Sequence, residues 1–282
     1  MSQGDIMKNL IVIPVFLLMS FLAAEDTPFL ILDLNTESVL GSTKVGKFYT
    51  SKNTYVKLKQ SIPNDTFDVY DGTQIKEKEI ELKTLENTDD YCTGYFKVTT
   101  SSTINSGVAV SNKINWDLTP RVIKPLAKNS KIYNEVVKNI LISKGFRDPK
   151  VSIKQIYSAD LDNDKQNEVI IVGEHYKDIM KEGGARRSFS HPGDYSFIIV
   201  RNVYKGKVNN IFLGESFNVS SIDSAESRVV PNTYELTSIL DLNGDGTMEI
   251  IVYGFYYEGS FTSVYQFANG GVKSVLVTGC GS

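Results

Sequence analysis

Two stretches decide how this chain is read: Asp160-Leu161-Asp162-Asn163-Asp164-Lys165-Gln166-Asn167-Glu168 and Asp241-Leu242-Asn243-Gly244-Asp245-Gly246-Thr247-Met248-Glu249, each running into an apolar strand. Oxygen-bearing side chains stand at loop positions 1, 3 and 5, and a carboxylate closes each loop at position 9. With a backbone carbonyl at position 7, that pattern suits a hard cation that takes six to eight oxygens.

The runs around the loops match as well. Val151 to Tyr157 leads into the first loop and Val169 to Gly173 leaves it; Tyr234 to Leu240 leads into the second and Ile250 to Tyr257 leaves it. Further strands are expected at Tyr195 to Val203, Val208 to Phe217, Phe261 to Phe267 and Val272 to Val277. Two four-stranded units offset by 81 residues (160 to 241) result, the pattern of propeller blades or a related repeat. Strand Ile250 to Tyr257 is apolar on both faces, which places it between packed layers.

Spacing separates the ways such a loop is used. An EF-hand needs Glu at position 12 and then a helix. Ile171 and Val252 stand there, inside β-branched runs, which excludes the EF-hand and argues against a dockerin-type helix. A phosphatase of the haloacid dehalogenase type wants Thr or Val where Asp164 and Asp245 stand. What is left resembles the FG-GAP or VCBS-type repeats of integrin-like β-propellers, over roughly residues 150 to 282. The resemblance implies a calcium ion held by Asp160, Asp162, Asp164 and Glu168, with Gln166 giving its carbonyl. It implies a second ion on Asp241, Asn243, Asp245 and Glu249, with Thr247 as carbonyl donor. Gly246 suits the positive φ of the turn, whereas Lys165 costs strain there and adds a positive charge, so the second loop is the better formed. Both loops close on Glu where the family more often has Asp. A plain Asp/Asn/Gly turn held by its own hydrogen bonds is the competing reading. The closing stretch, Asp241 to Ser260 and Thr278 to Ser282, also resembles the C-terminal end of exported bacterial proteins without assigned chemistry.

Upstream of the loops, residues 130–145 read as an amphipathic helix. Tyr133, Val136, Val137, Ile140 and Leu141 share one face, Ser130 stands at the cap and Lys144-Gly145 at the stop. Residues 115–129 read as a linker carrying Trp116, the single tryptophan. Residues 25–114 are β-rich, with strands expected at Tyr55 to Leu58, Thr66 to Tyr70, Ile75 to Leu82, Tyr95 to Val98 and Gly107 to Val110, and a hairpin turn at Asp71-Gly72. The N-terminal strands either add further blades or leave the two repeats as an open unit against the helix. The fold class expected is mainly β, with two propeller-like units, one helix and a β-rich N-terminal half.

Lys8 followed by the apolar run Leu10 to Ala24 reads as a signal peptide cleaved after Ala24, with Met7 as an alternative start. Interrupted by Pro14, the run is short for a membrane span of about 20 residues, so no span is expected after signal removal; an uncleaved anchor is the alternative. The destination is the cell exterior or surface, where millimolar calcium keeps even weak loops filled. Cys92 and Cys280 either pair there or stay as thiols. A net charge of −3 with scattered basic residues gives no field for nucleic acid.

Catalytic signatures are absent from the sequence: no Gly-x-Ser-x-Gly elbow, no His-Glu-x-x-His, no phosphate-binding glycine loop, and two histidines, His175 and His191. Tyr256, Tyr257 and Phe261 suit a sugar-stacking platform but suit core packing better. Arg186, Arg187 and His191, in the polar stretch between Tyr176 and Asp194, suit an anionic ligand or a solvated hairpin. Asn64 and Asn218 open N-glycosylation patterns. The expected role is an exported, calcium-stabilised binding, adhesion or envelope module for a protein or glycan ligand. A secreted hydrolase of glycans or phosphoesters, built on a carboxylate pair in a cleft, is the alternative.

Overall fold

The computed structural model describes residues 28–58, 65–72, 74–88, 92–177, 190–220, 231–256 and 258–281. Residues 1–24, expected above to be a signal peptide, and Asn64, Arg186, Arg187 and Tyr257 lie outside them. The described chain is mainly β, and its strands form three antiparallel sheets.

N-terminal strands β1 (Phe29–Asp33), β2 (Ser38–Lys44), β3 (Lys47–Thr50), β4 (Thr66–Asp71), β5 (Gln74–Asn87), β6 (Phe96–Thr100) and β7 (Val108–Ser111) form one sheet in the order β1-β7-β4-β5-β6-β2-β3. A further β1–β2 pairing closes it on itself. Alternation along its strands sends Leu30, Leu32, Val39, Phe67, Val69, Ile80, Val98 and Ala109 to the inside and Ile31, Leu40, Val108 and Val110 outward. The outward set is apolar because another sheet covers it.

That covering sheet is the second repeat, an up-and-down meander of β13 (Thr233–Leu240), β14 (Glu249–Tyr256), β15 (Gly259–Ala268) and β16 (Gly271–Gly281). The first repeat is the meander of β9 (Ile153–Ala159), β10 (Glu168–His175), β11 (Tyr195–Tyr204) and β12 (Lys207–Phe217), with the two-residue β8 (Lys124–Pro125) added along β9. Ile170, Val172, Ile198 and Val200 of the first repeat pack against Leu236, Ile239, Ile250 and Val252 of the second. On its far face the first repeat presents Ile156, Ile171, Phe197 and Ile199 to helix α2 (Lys131–Ser143), which buries Val137, Ile140 and Leu141 there. Ile251 and Val264, on the far face of the second repeat, meet the closed sheet. The molecule is thus a stack of helix, first repeat, second repeat and closed sheet, and β14 lies between layers as its two apolar faces required.

Three expectations need correction. Tyr55 to Leu58 belongs to a helix, α1 (Ser51–Leu58): a short apolar run does not distinguish strand from helix, and buried Ser51 and Thr54 lie one turn apart on the helical face, with Ser51 donating to the Gly94 carbonyl at 2.6 Å. Ser130 holds the cap position of α2 without a side-chain cap bond. The linker carries β8. At its other end α2 stops as expected: Gly145 has φ 108°, its N–H bonds the Ile142 carbonyl, and the Phe146 N–H bonds the Leu141 carbonyl at 3.1 Å.

The repeats share one more device. Gly173 pairs across the sheet with Phe197, and Gly254 with Phe261, and the far end of each ring occupies the place where a Cβ would sit on its glycine. Gly254→Ala is therefore expected to cost about 1–3 kcal/mol by overpacking, read as a lower midpoint in urea unfolding with unchanged slope.

Candidate metal centre

The two Asp-rich loops adopt one backbone. Positions 4 and 6 take positive φ in both: Asn163 (65°) and Lys165 (70°), Gly244 (67°) and Gly246 (83°). Lys165 thus sits in the strained region expected of it, and Asn163 joins it there. Three hydrogen bonds also repeat. The first-position Asp accepts through Oδ2 from the sixth residue, Lys165 N at 3.1 Å and Gly246 N at 2.9 Å. Asp164 Oδ1 accepts from Gln166 N (2.7 Å), and Asp245 Oδ1 from Thr247 N (2.8 Å). The closing Glu turns back, so Glu168 Oε2 accepts from Leu161 N (2.9 Å) and Glu249 Oε2 from Leu242 N (2.8 Å). Those bonds shape the loops, and they leave Asp160 Oδ1, Asp162 Oδ1 and Asp241 Oδ1 buried with no partner.

A hydrogen-bonded Asp turn looks different. Asp33-Leu34-Asn35 opens like the second loop, yet both carboxylate oxygens of Asp33 are engaged, Oδ1 by the N–H and side-chain amide of Asn35 and Oδ2 by the Thr36 hydroxyl. In the two loops a first-position carboxylate oxygen has no hydrogen-bond partner, and Asp241 is only 3 % exposed. A buried carboxylate oxygen without a partner is costly, and a hard cation satisfies it. The donor set fits calcium.

The loops differ in how far they gather their acids. Asp160, Asp162 and Glu168 bring ligand oxygens within 4.8 Å of one another, while Asp164 turns away onto the exposed Gln166, whose amide it also accepts. In the second loop Asp241, Asn243 and Glu249 are buried, and Asp245 Oδ2 accepts from Asn243 Nδ2 (3.0 Å) and Gln266 Nε2 (2.8 Å). Gln266 also donates to Glu249 Oε1 at 3.2 Å. It stands on β15 directly opposite Glu249. The counterpart in the first repeat is Asn202: Val169 pairs with Arg201, so antiparallel register sets Asn202 opposite Glu168. Asn202 is 4 % exposed, and its Oδ1 also has no partner. Sequence reasoning missed both amides, because only the strand register brings them to the loops.

The linker braces this region. Trp116 Nε1 donates to the Asp241 carbonyl at 3.0 Å, and its ring covers Gly244, where a Cβ would collide. Asp241 N bonds the Leu118 carbonyl (2.8 Å), Gly46 N the Asn243 carbonyl (2.8 Å), and Met248 N the Leu161 carbonyl of the first loop (2.7 Å). Arg121 donates to the Gly246 carbonyl at 2.6 Å and holds Nε 3.9 Å from Asp160 Oδ2.

Burial sets the charge state of the loops' acids. It pushes Glu168 up to about 7 from an ordinary 4.5, with Asp162 and Asp164 adding to the rise. It also raises Glu249 well above its usual value, and Asp162 and Asp241 above theirs. The folded protein therefore binds protons that the unfolded chain has released. That contribution is full below about pH 4.5 and is lost as pH rises through about 7 for Glu168. With chelator present, the melting temperature is expected to fall as pH rises over this window. If the loops take calcium, saturating calcium is expected to flatten the fall, because ligand carboxylates must be deprotonated.

Of the other candidates, His191 N donates to Asp194 Oδ2 at 2.8 Å in a turn, and Phe261 packs as core against the interface of the repeats. Among the described residues no helix is long and apolar enough to cross a membrane. No protein-family model, no curated protein and no solved structure matches the chain.

Proposed function

We propose that this protein is an exported β-repeat module that binds calcium structurally and acts in binding or adhesion at the cell exterior or envelope. The two meanders are blade-like units of the FG-GAP type in this reading. One observation carries it: two loops 81 residues apart (160 to 241) share backbone, hydrogen bonds and an unpartnered, buried first-position Oδ1. A bound cation would neutralise acids that otherwise repel, so its binding free energy becomes folding free energy. The residues that hold it are Asp160, Asp162, Glu168 and the Asn202 amide in the first loop, and Asp241, Asn243, Asp245 and Glu249 in the second.

Export is supported by the Cys92–Cys280 disulfide, which belongs to an oxidising compartment. A cleft lined by Phe29, Tyr49, Trp116, Lys44 and Lys47 beside the second loop is the surface offered for a ligand. Trp116 and the Gly46 hairpin are both tied to that loop, so an ordered loop supports an ordered cleft. The test is calcium itself: protein stripped by chelator regains melting temperature on adding calcium and much less on adding magnesium, which is reluctant to shed its waters. An unchanged melting temperature in millimolar calcium overturns the reading.

A further inference from the structure

Arg121 stands where the two loops meet. Its Nη2 reaches the second loop through the Gly246 carbonyl, a neutral group, at 2.6 Å. Toward the first loop it faces a carboxylate: Nε lies 3.9 Å from Asp160 Oδ2, too far for a hydrogen bond, and is buried without another partner. Both side chains are less than a fifth exposed, so solvent screens their attraction weakly. A guanidinium keeps its charge at any pH a protein survives. Lys165 adds a second positive charge within the first loop itself. The second loop has no such cation on its carboxylates among the described residues; its Asp245 and Glu249 are met by the neutral Gln266 amide.

We propose that Arg121 is the resident counter-cation of the first loop: it steadies Asp160 when no metal is bound and opposes a divalent cation there, so the first loop fills at higher calcium than the second. This rests on the calcium reading of the loops. Two ions then bind in sequence, and the weaker first loop responds to changes in calcium over a range where the second is already full. Arg121 acts through Asp160 as a positioning residue and is not itself a ligand.

The experiment isolates each loop. In an Asp241→Ala/Asp245→Ala background only the first loop remains; in an Asp160→Ala/Asp162→Ala background only the second does. Calcium is titrated calorimetrically, and melting is followed in chelator and in calcium. Arg121→Met is expected to tighten the first loop about tenfold or more, since an opposing charge in a weakly screened site is removed. Because it also removes the hydrogen bond to the Gly246 carbonyl, the second loop's affinity should hold or weaken, so that only the first loop tightens. The same change lowers the melting temperature in chelator and enlarges the rise that calcium produces. Arg121→Lys keeps the charge and should keep the weak affinity. If Arg121→Met does not fold, Arg121→Gln makes the same comparison. Equal destabilisation with and without calcium, and an unchanged first-loop affinity, would make Arg121 a brace only and overturn the proposal while the calcium reading stands. If neither wild type nor variant binds calcium, both fall.

Discussion

Replacing Asp241 and Asp245 together by Ala is expected to remove the second loop's share of the calcium stabilisation proposed above and to leave the first loop's share in place. At a calcium concentration 100 times the dissociation constant, one filled site stabilises the folded state by about 2.7 kcal/mol. In a chain of this length that is roughly 5–10 °C of melting temperature per loop. The raw melting temperature is a poor readout, because Asp245 also holds Thr247 N and the Gln266 amide, and its loss costs stability in chelator too. The diagnostic is the difference between calcium and chelator, measured on wild type, on this double variant and on Asp160→Ala/Asp162→Ala. Each variant should lose about its own loop's increment, and all four changes together should abolish it. A quadruple variant that still gained several degrees from calcium would place the ion elsewhere.

The part of this molecule legible in its sequence is the part set by local spacing. Asp, Asn and Gly at fixed intervals mark the loops; the apolar runs around them give all eight strands of the repeats to within a few residues, and the stripe of α2 gives its buried face. Nothing local tells that the N-terminal sheet closes on itself: β1 and β2 are a plain hairpin, and closure is decided by the distant pairings of β1 with β7 and of β2 with β6. The same limit hides Gln266, seventeen residues beyond Glu249, and Asn202, both delivered by strand register. Arg121 lay in a stretch read as linker, and its importance comes from a junction that exists only once the repeats stack. Gly246 and Lys165 did speak to backbone strain, as their φ values bear out. They were silent on the tighter gathering of acids in the first loop, which depends on what each loop packs against.

Breaking the Cys92–Cys280 bridge is expected to cost about 5 kcal/mol, because it ties residues 188 positions apart and its loss frees a very long loop in the unfolded chain. The ends it joins are the connection from β5 to β6 in the closed sheet and β16 in the second repeat, with Cα atoms 5.4 Å apart. Between these units the other ties are non-covalent, among them the apolar interface, a 3.0 Å hydrogen bond between buried Ser38 and Thr278, the Gly46 N–H to the Asn243 carbonyl, and the bridge of Gly72 with Ser238. Cys92→Ser/Cys280→Ser should therefore lower the melting temperature by roughly 10–20 °C, and a reductant should bring wild type to the same value. The bridge joins residues distant from both loops in sequence and acts on the unfolded chain, so the calcium increment should survive reduction nearly unchanged. Loss of that increment on reduction would mean that the bridge also holds the second loop in shape. A drop of less than about 2 °C would mean that the native contacts already fix the interface. The case for an oxidising destination would then lose its structural support, because only a bridge that carries stability makes the redox state of the compartment matter to the fold.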